Sequence, residues 1–427
     1  MDITRRTLLR STAAAAALVP AGGLRTLAFA EGVSAAGSRD ILVVLFLRGG
    51  CDVLHLLGPA NDPNYIADRA PELRVLDNGD KAGISLDQPI GKGVDFRLHG
   101  EAAPLAELYR AGHLAIVHAT GIGSATRSHF EAQDLIEAGY SGTETGARPD
   151  ALTDNGWVAR TLAAIGTTEP LSAVSVTNGV VNALHGFAPA LAIPDLQHGL
   201  DLPGGPQATD VLQALYRGGD DPLRRAGTIT VDGMNRVNGR LPRGPDGKIA
   251  TYQPDPGANY DDGELTRGLQ TVARLVKLDL GLQLACVDMG GWDTHENQAG
   301  RFAGLARQLS RNLLAFWNDM APWHDRLTLV TVSEFGRRLR SNRSGGTDHG
   351  HGSLMMVLSG HARGGRMYGT WPGLATPDLD QGVDLAATTD YRTVLAEIMT
   401  ARLGCGAALG HIFPGYRPHP ALGLVSA

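Results

Sequence analysis

Only three of the 427 residues are cysteine, Cys51, Cys286 and Cys405, and no two of them are close in the sequence. An odd, scattered set excludes a disulfide scaffold. It also leaves no CxxC pair, haem-attachment motif or thiolate cluster for redox work. Aromatics are scarce, at 5%, and no GxGxxG follows the first apolar run, which removes the dinucleotide-binding fingerprint. The net charge of −6 and the pI near 6.2 argue against a nucleic-acid-binding surface. No stretch reaches the ~20 strongly apolar residues that a permanent membrane span requires. There is no internal repeat.

Residues 1–30 read as a targeting segment. TRRTLLR places Arg5 and Arg6 before the mildly apolar STAAAAALVPAGGL, and the small residues Ala28 and Ala30 suit cleavage after Ala30. Paired arginines ahead of such a stretch point to the twin-arginine route, hence to the twin-arginine translocation machinery as a partner and to a periplasmic or extracytoplasmic destination. Residues 31–427 remain, enough for one large domain with an insertion or for two domains, and the first is expected.

Six short apolar runs read as buried strands: DILVVLFL, HLAIVHAT, LSAVSV, LQLACVDM, LTLVTVS and SLMMVLSG. They are continuous rather than alternating, which suits a mostly parallel sheet covered on both faces. Between them, Leu265, Leu269, Val272, Leu275 and Val276 share one helix face, and Phe302, Leu305, Leu309, Leu313 and Phe316 share another. A further helix is expected from TTDYR, capped by Thr388 or Thr389. This alternation means an α/β fold with helices on both faces of a central sheet. Residues 199–262 differ: their Pro/Gly density around one helix, DVLQALYR, suggests a surface insertion or lid.

In such a sheet, ligands bind where loops leave the carboxyl ends of the strands. RGGCD after the first run gives Asp52, and the loop after HLAIVHAT gives Ser128, His129 and Glu131. GGWDTHENQ gives Asp293 and His295, SEFGRR gives Glu334 and Arg337, and GGTDHGHG gives Asp348, His349 and His351. Carboxylate plus imidazole without thiolate is a ligand set for a divalent cation, Zn, Mn, Ca or Mg. Ser128 reads two ways, as a nucleophile at a helix N-terminus or as the N-cap of a capping box closed by Glu131.

LRGGCD, RSHFEAQD, GGWDTHENQ, SEFGRRLRSN, GGTDHG and TTDYR, in that order, resemble the domain-of-unknown-function 1501 family over residues 40–403. That family groups by fold with the alkaline phosphatase and sulfatase superfamily. The resemblance implies a core parallel sheet and a two-metal site, with Asp52 as the early Asp, Asp293 and His295 as the Asp/His pair, Glu334 in place of a later Asp, and His349 as the late His. It implies a site remodelled toward one metal, because Phe335 stands where relatives carry a His.

The expectation is an exported metal-dependent hydrolase of a phosphate or sulfate ester, small-molecule or glycan. Asp52, Asp293, His295, Glu334, Asp348 and His349 would hold the metal. Ser128 or a water would attack, with His129 beside it, and Arg337 or Arg127 would steady the anion. The alternative is a catalytically silent binding or assembly protein of the cell envelope on the same scaffold.

Overall fold

A computed structural model describes residues 40–144, 155–202, 204–219 and 221–426. The targeting segment expected at 1–30 lies outside them. The fourteen strands among the described residues are β1 (Ile41–Leu47), β2 (Leu57–Pro59), β3 (Ile84–Ser85), β4 (Phe96–Leu98), β5 (Leu114–Gly121), β6 (Ala173–Val176), β7 (Leu191–Ala192), β8 (Leu284–Met289), β9 (Leu327–Val332), β10 (Arg337–Ser341), β11 (Thr347–His349), β12 (Ser353–Ser359), β13 (Met367–Tyr368) and β14 (Thr389–Asp390). Nine of them form the main sheet in the order β13-β5-β12-β9-β1-β8-β6-β7, with β14 also on β5. Every neighbouring pair is parallel except those made by β12, which runs antiparallel to both β5 and β9.

Alternate residues of β1 feed two cores. Ile41, Val43 and Leu45 join Leu105, Leu269, Phe302 and Leu309 on one face. Leu42, Val44 and Phe46 join Leu135, Trp157, Val394 and Ile398 on the other. The first face is covered by α3 (Ala103–Arg110), α8 (Glu264–Lys277) and α9 (Gln298–Asp319), and the second by α4 (His129–Ala138), α5 (Trp157–Ala164) and α10 (Tyr391–Leu403). Two short helices, α1 (Val53–Leu56) and α2 (Pro63–Asp68), follow β1. The fold is therefore the expected α/β layering. The two amphipathic helices read from their apolar spacing are α8 and α9. The cap of α10 is Asp390, whose carboxylate accepts from Arg392 N at 2.9 Å, rather than Thr388 or Thr389.

Residues 199–262 hold two helices, α6 (Gly205–Tyr216) and α7 (Pro222–Arg240). Only the first was legible, because α7 carries Gly227, Gly233 and Gly239, poor helix formers, and takes its order from packing of Val231, Met234 and Val237. Tyr252 and Tyr260 hydroxyls and Asp255 N all donate to Asp319, at the C-terminal end of α9. That end precedes β9 and lies at the amino edge of the sheet. Residues 252–260 thus brace the edge opposite the site.

Candidate metal centre

The reversal of β12 decides the site. Its start lies at the edge where the parallel strands end, so the loop before it meets the loops after β1, β5, β8 and β9. His129 opens α4, Asp293 and His295 follow β8, Glu334 follows β9, and Asp348 and His349 close β11. Gly49, with φ of +115°, allows a close approach: a Cβ there would sit 2.5 Å from Asp293 N.

Asp293 Oδ1 is the point of convergence. His295 Nε2 lies 3.0 Å from it, His349 Nε2 3.3 Å and His129 Nε2 3.5 Å. His295 Nε2 and His349 Nε2 are 2.8 Å apart. Each ring is held from behind by an oxygen. His129 Nδ1 meets Glu334 Oε1 at 2.8 Å, His349 Nδ1 meets the Arg127 carbonyl at 2.8 Å, and His295 Nδ1 meets Asp348 Oδ1 at 3.2 Å. Those oxygens accept, so each Nδ1 carries the proton, and a neutral imidazole then turns a lone pair outward at Nε2. Three lone pairs thus face one carboxylate oxygen, an arrangement that only protons or a shared cation can stabilise. His129 Nε2 is buried and has no hydrogen-bond partner. His129, Asp293 and His349 each offer an atom within 4.8 Å of the others, and nitrogen and carboxylate oxygen are the donors that Zn²⁺ and similar ions take. The donor set fits a divalent cation.

The electrostatics suit ligands. Burial pushes the Asp293 carboxyl up, but the hydrogen bond and charge of Arg337 outweigh it and hold the acid at about 2. Burial, aided by the Arg337 charge, pushes His349 down and keeps it neutral. The Glu334 hydrogen bond raises His129. Glu334 is buried, which would raise its own carboxyl, yet donors from His129, Gln133 and Gly49 hold it below its ordinary range. The Asn342 amide lowers Asp348. A cleft of about 380 Å³ opens beside Asp293 and His295, lined also by Glu296, Arg301, Asn342, Ser344 and Asp348.

Several residues take other places than the sequence suggested. Glu334 and Asp348, expected as ligands, stand behind His129 and His295 and orient them. Asp52, expected as a ligand, is fully buried in an ion pair with Arg69 at 2.6 Å, accepts from Gln298 and Thr347, and caps α1. Arg337, expected to face an ester, spends its buried side chain on the carbonyls of Gly49, Gly50, Trp292 and Thr347 and on Asp293. Arg127 pairs with Asp384. Ser128 Oγ accepts from Glu131 N at 3.4 Å, the capping half of its two readings, while the Glu131 carboxylate turns to Thr126 Oγ1. His129, expected beside a nucleophile, is instead one of the converging rings. Gln133, four residues on and so on the same helix face, went unnoticed although that spacing was readable.

Among the described residues no helix is long and apolar enough to cross a membrane. Comparison with curated proteins finds no match. Solved structures with some likeness include the C-terminal periplasmic domain of EcEptC from Escherichia coli in complex with Zn, at 9% identity, 76% of this chain, 74% of that one and a TM-score of 0.36. Others are Ps i-CgsB, at 11% identity, 78% and 68% coverage and a TM-score of 0.32, and Ps i-CgsB in complex with k-i-k-neocarrahexaose, at 8%, 91%, 75% and 0.34. At these scores the likeness carries no functional argument. Asp293, His295, Glu334, Asp348 and His349 all fall within residues 246–402, the stretch that matches the model of the family described as protein of unknown function (DUF1501).

Proposed function

We propose that this protein is a metal-dependent hydrolase of a phosphate or sulfate ester, with one divalent cation held by His129, Asp293 and His349 and with His295 within reach as a fourth ligand. One observation carries the reading: three imidazoles, each fixed at Nδ1 by an oxygen, turn Nε2 toward a single Asp293 oxygen, and the buried His129 Nε2 has no other partner. A cation bound there supplies Lewis acidity. The chain's own groups do the rest. Glu334 and Asp348 orient two of the rings, Arg337 fixes Asp293, and the cleft offers Arg301, Ser344 and Glu296 to the body of the substrate. With Ser128 engaged as a helix cap, attack by water replaces attack by a serine hydroxyl. The paired Arg5 and Arg6 support action outside the cytoplasm after twin-arginine export.

The test is metal content by elemental analysis of purified protein, followed by hydrolysis of aryl phosphate and aryl sulfate with Zn²⁺, Mn²⁺, Ca²⁺ or Mg²⁺. The expected result is a stoichiometric metal that His129→Ala and His349→Ala abolish together with turnover. Protein that retains no ion and cleaves neither ester overturns the proposal.

A further inference from the structure

His129, Gln133 and Glu137 are spaced by four along α4 and share one helix face. That face meets Arg48, just past β1, Asp288 in β8 and Glu334, just past β9. The Gln133 amide is held at both ends: Arg48 Nη1 donates to its Oε1 at 3.1 Å, and its Nε2 donates to Glu334 Oε1 at 2.8 Å. A guanidinium can only donate and a carboxylate can only accept, so Arg48 and Glu334 together fix which way the amide faces. Arg48 is itself fixed by Asp288 Oδ2, 2.6 Å from Nε, and by Glu137, and it lies 4.3 Å above the Phe46 ring. On the far side, Glu334 Oε1 accepts from Gly49 N, His129 Nδ1 and Gln133 Nε2, each at 2.8 Å.

We infer that Arg48 and Gln133 are positioning residues for the cation site: Arg48 sets the Gln133 amide, the amide donates to Glu334, and Glu334 aims His129 Nε2 at Asp293 and His349. The inference rests on reading those side chains as a metal site. Without Arg48 the amide oxygen loses its donor and only Glu334 holds the Gln133 side chain, so the Nε2 hydrogen bond to Glu334 is no longer fixed in place. His129 then loses the firm hold that keeps its ring in place. Nothing in this relay touches the ion or the substrate. It acts from behind, as partners of metal-bound imidazoles do.

The experiment measures Zn²⁺ and Co²⁺ dissociation constants by chelator competition, together with the Co²⁺ visible spectrum, on the full-length protein. Gln133→Met keeps the bulk and removes the amide. It is expected to weaken metal binding about tenfold and to shift the Co²⁺ bands. Arg48→Met/Glu137→Gln/Asp288→Asn, which leaves no buried charge unpaired, is expected to do the same. Arg48→Lys keeps a donor for Gln133 and is expected to hold affinity within about threefold of wild type, on the same scale. A purely structural role would lower the melting temperature and leave affinity and spectrum of the folded protein unchanged. Wild-type binding with Gln133→Met indistinguishable from it overturns the relay alone. Wild type that takes up neither ion overturns the metal reading and the relay with it.

Discussion

A neutral imidazole presents one lone pair, and the group that holds its other nitrogen decides where that lone pair points. Glu334, Asp348 and the Arg127 carbonyl perform that task here for His129, His295 and His349. Single residues outside this set have structural duties that separate cleanly from it. Ser128→Ala removes the cap of α4, and chemical denaturation should show a loss of about 0.5–2 kcal/mol. Metal affinity and turnover should stay at wild-type levels, and collapse of turnover with unchanged stability would restore the hydroxyl as nucleophile. Arg69→Met leaves the Asp52 carboxylate buried and unpaired. Denaturation should report a loss of about 3–5 kcal/mol, most of it recovered in Arg69→Met/Asp52→Asn. Equal stability of the single and double variants would show that the pair does not hold the loop. The sequence offered half of this. Asp52 was legible as a carboxylate in the loop after the first strand, where it accepts from His55 N at 3.2 Å. Its main partner, Arg69, sits 17 residues away, a pairing that no local pattern encodes.

Among the elements, apolar continuity identified all six core strands of the sheet, because each is buried on both faces whichever way it runs. For the same reason direction was illegible: Leu354, Met356 and Leu358 of β12 are as buried as Leu45 or Val287 in its parallel neighbours. Direction nevertheless brings GGTDHG to the site, since a parallel β12 would have carried that loop to the amino edge. The β10–β11 hairpin then fixes the final geometry. Gly346 packs its Cα against the Thr294–His295 backbone, where a Cβ would lie 2.4 Å from the His295 carbonyl. The neighbour is backbone and cannot rotate aside. Gly346→Ala should therefore displace His295 and weaken metal binding about tenfold, a change comparable to losing an outer partner, while circular dichroism shows the sheet intact. Unaltered affinity in a folded Gly346→Ala protein would mean that His295 is no ligand.

At the scale of the whole molecule, the sheet that carries the site must stay folded while burying histidines that have no part in it. His118, in the middle of β5, is fully buried between Phe96 and Trp371, with Nε2 3.4 Å from the Leu57 carbonyl. Burial pushes it down to about 4. The unfolded chain takes up this proton near 6.5. Between those two values the unfolded state binds more protons than the folded one, so stability is full above about pH 6.5 and falls as the pH drops toward 4. The slope for one such group is about 1.4 kcal/mol per pH unit. His129 works in the opposite sense, since Glu334 raises it and its contribution is lost as pH rises. A raw stability profile therefore mixes the two, and the difference between wild type and His118→Gln isolates the buried ring. Urea denaturation at pH 7.5 and pH 5 should show wild type losing about 2 kcal/mol more than His118→Gln over that interval. Parallel losses in the two proteins would mean that His118 is protonated inside the fold, and that the core beside β5 admits water or a counter-ion.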